Sequence, residues 1–281
     1  MAIKKSTATN NGQFTFDLTI DQATIAKQYQ VVLQKVVSTA EIKGFRKGKA
    51  PIEMVEATVD KSRIYSQILD QVIPPAYAEE IGKFKISPII DPQIMPKQFE
   101  EGKDWIFTVT TAIKPEVELG DYKKYVKTAI TNFNKTKKQA SPAEASAKEG
   151  HEGHDHEKEA VFTVVFDALL KEAKVEVAPI LIEQEAKSQL SRLVKQLDQL
   201  KLSVADFAKS QKKTQEELVA EYNKTAETNL KLELILDKLV QIENPSVTDE
   251  EITKLQAPKG QEAYAKYVAQ KQKVIDNLIV L

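Results

Sequence analysis

The chain has no cysteine, no excess of either charge and no long apolar run, and each absence closes off a class of protein. Without cysteine, disulfide frameworks and thiolate metal centres are excluded, and nothing hints at an oxidising compartment. Lys and Arg number 40 against 41 Asp and Glu. The resulting net charge of −1 predicts no general affinity for nucleic acid or membrane, so any basic site must be local. No stretch approaches the roughly 18 apolar residues of a membrane span. The amino terminus, Met1-Ala2-Ile3-Lys4-Lys5-Ser6-Thr7, has two lysines but no apolar stretch behind them, so no secretion signal is expected. A soluble, cytoplasmic protein follows, and its 281 residues suffice for two domains with separate cores.

The first hundred residues carry strand and helix signals in alternation. Gln13 to Ile20 alternates Phe14, Phe16, Leu18 and Ile20 with polar neighbours, the pattern of a half-buried strand. Asp21 is placed to cap a helix to about Ala40, with Ile25, Tyr29, Val32 or Leu33, and Val36 facing inward. A second helical stretch carries Met54, Val55, Val59, Ile64, Ile68, Leu69, Val72 and Ile73, and is expected to end at Pro74-Pro75. Phe84 and Ile86 suggest another strand. Trp105, Phe107, Val109, Thr111 and Ile113 mark a third, after the Glu101-Gly102-Lys103-Asp104 turn. The sum is a small α+β domain with an antiparallel sheet and an aromatic core.

Between the first two helical stretches stands Gly44-Phe45-Arg46-Lys47-Gly48-Lys49-Ala50-Pro51. Two glycines let the backbone turn sharply, and Pro51 suits the first position of the next helix. Phe45, Arg46, Lys47 and Lys49 then project outward. One ring and three cations on a tip that folding does not need have the chemistry of a docking element: a salt-sensitive attraction to phosphate or acidic protein, anchored by an aromatic. An ordinary solvated basic turn has the same composition. A phosphate-binding P-loop does not: the glycines are one residue too close, Ala50 stands where Ser or Thr should follow the lysine, and a helix precedes the loop. Neither nucleotide nor any other cofactor is called for.

Gly44-Phe45-Arg46-x-Gly48-x-x-Pro51 resembles the ribosome-docking motif of the trigger factor family of bacterial chaperones. The order of elements over residues 13 to 113 resembles that family's ribosome-binding domain, and Pro115-Glu116-Val117-Glu118-Leu119 the segment by which that domain exits. From about Val165 the chain resembles the family's carboxy-terminal helical domain. The resemblance implies docking at the exit tunnel of the large ribosomal subunit through Gly44, Phe45, Arg46, Lys47, Gly48, Lys49 and Pro51. It also implies nascent or unfolded polypeptides as clients.

Trigger factors carry a prolyl-isomerase domain between those two parts. Here only about 45 residues separate Glu116 from Val161, without the aromatic strands and glycine turns of a proline pocket, so isomerase activity is not expected. From about Asn134 to Glu159 the composition turns to Lys, Ser, Ala and Glu with no apolar period, which reads as a tether. The division expected is a ribosome-binding domain over 1–117, a linker over 118–159 and a helical client-binding domain over 160–281. All three histidines, His151, His154 and His156, lie in the tether. Imidazoles and carboxylates at that density suit weak Zn, Ni or Cu binding, but a structural or catalytic site needs ligands held by a fold.

Residues 180–244 contain neither Gly nor Pro, against nine and eleven in the whole chain, so long helices are expected. Ala186, Leu190, Leu193, Leu197 and Leu200 recur down one face; Ser203 can cap a short helix; Thr214-Gln215-Glu216-Glu217 and Thr248-Asp249-Glu250-Glu251 are capping boxes, the second with Val247 and Ile252 as a candidate staple. Helices this long with narrow apolar stripes suggest elongated arms. No catalytic constellation emerges; Glu183, Glu185 and Asp198 read as solvated or lysine-paired. The reading is an ATP-independent chaperone that holds chains on partly exposed apolar stripes. The alternatives are a prolyl isomerase of the same family, and a periplasmic folding factor, against which the missing signal speaks.

Overall fold

Strand alternation and helix period sort the first hundred residues into one sheet with helices on its apolar face. In the computed structural model, backbone is described for residues 7–8, 11–139, 153–255, 258 and 260–281, and side chains for residues 11–136, 158–255, 258 and 260–281. The chain divides into two units, one holding Gln13–Lys114 and the other Pro115–Leu281.

The first unit contains strands β1 (Thr7–Ala8), β2 (Gln13–Ile20), β3 (Gln93–Gln98) and β4 (Trp105–Ala112), antiparallel in the order β1-β2-β4-β3. The β2–β4 register sets Phe16 opposite Val109, Leu18 opposite Phe107 and Ile20 opposite Trp105, so the apolar alternation of both strands falls on one face. Helices α1 (Gln22–Thr39) and α3 (Lys61–Phe84) cover that face with Ile25, Val32, Leu33, Ile64, Ile68 and Val72. Asp21 caps α1, accepting from Thr24 N at 2.8 Å, and Asp60 caps α3, accepting from Ser62 N at 2.9 Å.

Three expectations for this unit are corrected. The second helical stretch is two helices, α2 (Ile52–Thr58) and α3, because Val59 is extended and Asp60 restarts the chain as a cap. Pro74 and Pro75 lie inside α3 instead of ending it. Each removes a helical donor at a cost of about 3 kcal/mol, and packing of Ile73, Ala76, Tyr77, Ile81 and Phe84 against the core offsets that loss. Phe84 is therefore the last helical residue, stacked edge-on against Phe14 at 4.9 Å, and the strand expected at Phe84–Ile86 forms later, at β3. The edge position of β3 tolerates Pro96, which has no ladder donor.

The second unit is almost wholly helical. Its elements are β5 (Val117–Glu118), α4 (Tyr122–Gln139), α5 (Gly153–Glu172), β6 (Lys174–Val175), α6 (Pro179–Gln199), α7 (Val204–Ser210), α8 (Gln215–Glu243), α9 (Asp249–Lys254) and α10 (Glu262–Ile279). One core joins Tyr122 and Val126 of α4, Val165 and Leu169 of α5, Ile235 and Leu239 of α8, and Val274 and Leu278 of α10. A smaller cluster joins Leu193 and Leu197 of α6 to Ala208 of α7 and Leu218 of α8, so α8 folds back along α6. Both capping boxes form, with Thr214 and Thr248 exchanging bonds with Glu217 and Glu251.

The linker reading of 118–159 is corrected over 118–139 and 153–159; residues 140–152 lie outside the described residues. Leu119, Tyr122 and Val126 are buried, and α4 and α5 are helices over most of that stretch. Tyr122, Tyr125, Val126, Ala129, Ile130 and Phe133 carry a helical period, which the lysine-rich sequence around them obscures. Leu200, read as the end of the α6 stripe, is 68% exposed, because the helix stops there and the chain turns through Lys201 at positive φ.

Candidate functional site

The loop between α1 and α2 is ordered from its own sequence. Ser38 and Thr39 hydroxyls bond back to carbonyls of Lys35 and Val36, tightening the end of α1. Gly48 N then donates to Ala40 O at 3.0 Å, Phe45 N to Ile42 O at 3.0 Å and Lys49 N to Arg46 O at 2.9 Å. Gly44 and Gly48 have φ of +93° and +71°, a region that costs other residues roughly 1–2 kcal/mol. Gly48 is also sterically required, since a Cβ there would meet Ser38 O at 2.5 Å. Past the tip, Ala50 and Val55 are buried and anchor the return. Pro51 sits one residue earlier than expected, in the cap position, with its carbonyl accepting from Met54 N and Val55 N.

Anchored at both ends, the loop turns its chemistry outward. Gly44, Arg46, Lys47 and Lys49 are exposed, and Phe45 is 42% exposed. Lys47 Nζ pairs with Glu41 at 3.2 Å, with both side chains solvated, while Arg46 and Lys49 have no ion pair among the described residues. Ile52 and Met54, at the start of α2 after the loop, are exposed as well. Met54 is one of the apolar residues that mark the second helical stretch in the sequence, and Ile52 is not. With seven residues, α2 is too short for its period to tell Met54 from Val55, the one residue of this helix that is buried.

In the second unit the candidate surface is a groove of about 560 Å³ between α6 and α8. Ala186, Leu190, Val194 and Val219 form its apolar floor and Glu183, Lys187 and Lys195 its rim. Val194 and Val219 are 40% and 43% exposed, and Leu202 at the turn after α6 is exposed as well. Of the carboxylates read as solvated, Glu183 lines the groove, and Glu185 accepts from Gln189 at 2.9 Å and Arg192 at 3.2 Å, an arginine where lysine was expected. Tyr122 bonds Glu243 at 3.0 Å, and burial followed by that bond pushes its hydroxyl up to about 12, so it remains a neutral donor. His151 lies outside the described residues. His154 and His156 fall on the first turns of α5, with side chains outside the described set. Among the described residues no three His, Cys, Asp or Glu groups converge as metal ligands, and no helix is long and apolar enough to cross a membrane.

Two family models divide the chain between them. One, described as "Bacterial trigger factor protein (TF)", matches residues 1–144, and the other, described as its "C-terminus", matches residues 146–278. Trigger factor of Brevibacillus brevis is 35% identical over 113 residues, covering 40% of this chain and 26% of the relative. Trigger factor of Staphylococcus aureus strain JH9 is 37% identical over 114 residues, covering 41% and 26%. The matched stretch thus spans about a quarter of the length of these curated relatives. A solved chain from work headed "Promiscuous Substrate Recognition in Folding and Assembly Activities of the Trigger Factor Chaperone" superposes with a TM-score of 0.62. It covers 99% of each chain at 12% identity, a likeness of fold.

Proposed function

This chain belongs to the trigger factor family, and from that premise we propose that it is a nucleotide-independent chaperone that docks on the large ribosomal subunit at the tunnel exit and holds nascent or unfolded chains, in the cytoplasm. The observation that carries the docking half is Gly48: its backbone, pressed against Ser38, holds in place a tip whose exposed side chains are Phe45, Arg46, Lys47 and Lys49. A cationic tip meets the phosphates and acidic side chains of a ribonucleoprotein surface, and the ring with Ile52 and Met54 supplies contact that excludes water. Holding is assigned to the helical unit, where the α6–α8 groove presents aliphatic surface with no nucleotide-binding motif beside it.

The prolyl-isomerase alternative draws little support from this chain. The two family models meet at residues 144 and 146, and only residues 140–152 separate α4 from α5, too few for a further domain. Co-sedimentation with ribosomes tests the docking role. Replacing Phe45, Arg46 and Lys47 with alanine removes one anchor and two charges from an exposed loop, so stability should change by no more than about 0.5 kcal/mol while binding collapses. Unchanged co-sedimentation of that variant would overturn the assignment.

A further inference from the structure

Helix α4 carries six lysines and no Asp, Glu or Arg in its 18 residues, within a chain whose net charge is −1. A helix turns by roughly 100° per residue, which sorts these side chains cleanly. Tyr122, Tyr125, Val126, Ala129, Ile130 and Phe133 share one face, and Tyr122 and Val126 bury it in the core with α5, α8 and α10. Lys123, Lys124, Lys127, Thr131, Asn134 and Lys135 fall on the opposite face, within roughly 120° of arc, and all are exposed. Packing on the reverse side thus holds four ammonium groups on one surface along about 18 Å of helix.

Little in the fold neutralises that surface. Glu243 of α8 lies 4.0 Å from Lys123, whose side chain is still 61% exposed. Asp121, Asp167 and Glu172 line the groove beside α4, together with Lys124 and Lys171. Lys127 and Lys135 have no ion pair among the described residues.

The chemistry of the face selects among polyanions. It has no apolar or aromatic side chain, so it lacks both the anchor of a protein interface and the platform on which single-stranded bases stack. It has no arginine, and Asn134 is its one amide, so it is poor in the groups that read base edges in the major groove of DNA. With its other side fixed in a core, α4 offers a face and does not insert into a groove. Contact with phosphates is what remains. Double-helical RNA, whose deep and narrow major groove excludes side chains, is met through such backbone contacts. A duplex segment as long as this face presents on the order of ten phosphates.

We propose that the exposed face of α4 binds double-helical RNA through its phosphates, without regard to sequence, with Lys124, Lys127 and Lys135 as the principal contacts and Lys123 at one end. The site lies in the second unit and does not depend on the role assigned to the α1–α2 loop.

Because that loop is cationic too, the parent for the test is the intact chain with Phe45, Arg46 and Lys47 replaced by alanine. Its binding to a labelled RNA duplex of about 16 base pairs is followed by fluorescence anisotropy from about 50 mM salt upward. Saturable binding is expected, equal for a second duplex of unrelated sequence. Lys124→Gln, Lys127→Gln and Lys135→Gln together should weaken it by on the order of tenfold or more and lower the slope of log affinity against log salt by about 3, one for each lysine. Lys201→Gln, Lys209→Gln and Lys212→Gln remove the same charge from exposed positions around α7 and should leave affinity and slope nearly unchanged. Thermal unfolding by circular dichroism checks that both triple variants are folded. No binding by the parent, or equal losses in the two triple variants, would overturn the proposal. So would tighter binding to single-stranded RNA, to a DNA duplex of the same sequence or to polyglutamate.

Discussion

The α carbon of Gly48 lies so close to the end of α1 that a methyl group on it would stand 2.5 Å from the carbonyl oxygen of Ser38. Gly44, four residues earlier in the same loop, shares the positive φ but has open space around it. The two glycines are needed for different reasons. Gly44→Ala should cost about 1 kcal/mol, the strain of a left-handed alanine. Gly48→Ala adds backbone crowding and disturbs the bond from its nitrogen to Ala40 O, so a total of about 2–3 kcal/mol is expected. Ribosome binding should fall more in Gly48→Ala than in Gly44→Ala. Equal unfolding midpoints in urea for the two variants would contradict the steric argument.

The cap of α1 gives a pH signature. Backbone and side-chain bonds from Thr24 hold the Asp21 carboxyl below its ordinary value of 3.8. A carboxyl with a depressed folded value contributes stability that is present above the unfolded value and lost as pH falls through the folded one. Asp21→Ala should therefore cost about 1 kcal/mol at pH 7, and the gap to the parent should narrow below about pH 4. Asp21→Asn, which keeps an acceptor but no charge, should show a flatter pH profile than the parent. Urea denaturation at pH 7 and pH 3 checks both, and a gap that widens in acid would refute the cap.

Much of the first unit was legible because two-residue and 3.6-residue periods are local signals. Phe14 to Ile20 and Trp105 to Val109 pair as their alternation requires, and the caps at Asp21, Ser203, Thr214 and Thr248 form where hydroxyl or carboxylate precedes an apolar run. What misled was tertiary. Pro74-Pro75 ends an isolated helix, but here burial on both sides carries α3 through it. Tyr122 and Val126 sit in a lysine-rich segment whose average polarity conceals a stripe that only α5, α8 and α10 make useful. The α1–α2 loop stands out as a motif, whereas the exposure of Ile52 and Met54 depends on which way a two-turn helix faces.

In the second unit α10 is pinned to α8 by shared polar contacts. Lys271 reaches Asp237 at 3.2 Å, pairs with Glu233 and lies over the Tyr267 ring, while Tyr267 donates to Asp237. Lys271 and Asp237 side chains are mostly buried, so removing one partner strands the other. Lys271→Ala should cost about 2–3 kcal/mol and Tyr267→Phe about 1 kcal/mol. Because both act on Asp237, the double variant should depart from additivity by more than about 0.5 kcal/mol. A double-mutant cycle by urea unfolding measures this, and strict additivity would mean that the contacts act independently.

Holding activity should reside in the helical unit and need neither nucleotide nor proline. Pro115–Leu281 has its own core through Val126, Leu169, Ile235 and Leu278 and a second cluster through Leu193, Leu197 and Leu218, so it should fold by itself. Aliphatic side chains remain outside those cores, with Val194 and Val219 exposed in the groove and Leu202 exposed at the turn after α6. Contacts made by such side chains distinguish apolar from polar segments and do not recognise proline. The fragment should therefore suppress aggregation of unfolded clients with and without proline alike, and ATP should make no difference. Val194→Ser with Val219→Ser should weaken suppression severalfold while changing stability by no more than about 0.5 kcal/mol per site, since both are surface positions. If the doubly substituted fragment holds clients as well as the parent, the groove is scaffold and the client surface lies elsewhere. If the parent fragment is helical and leaves aggregation untouched, holding does not belong to this unit.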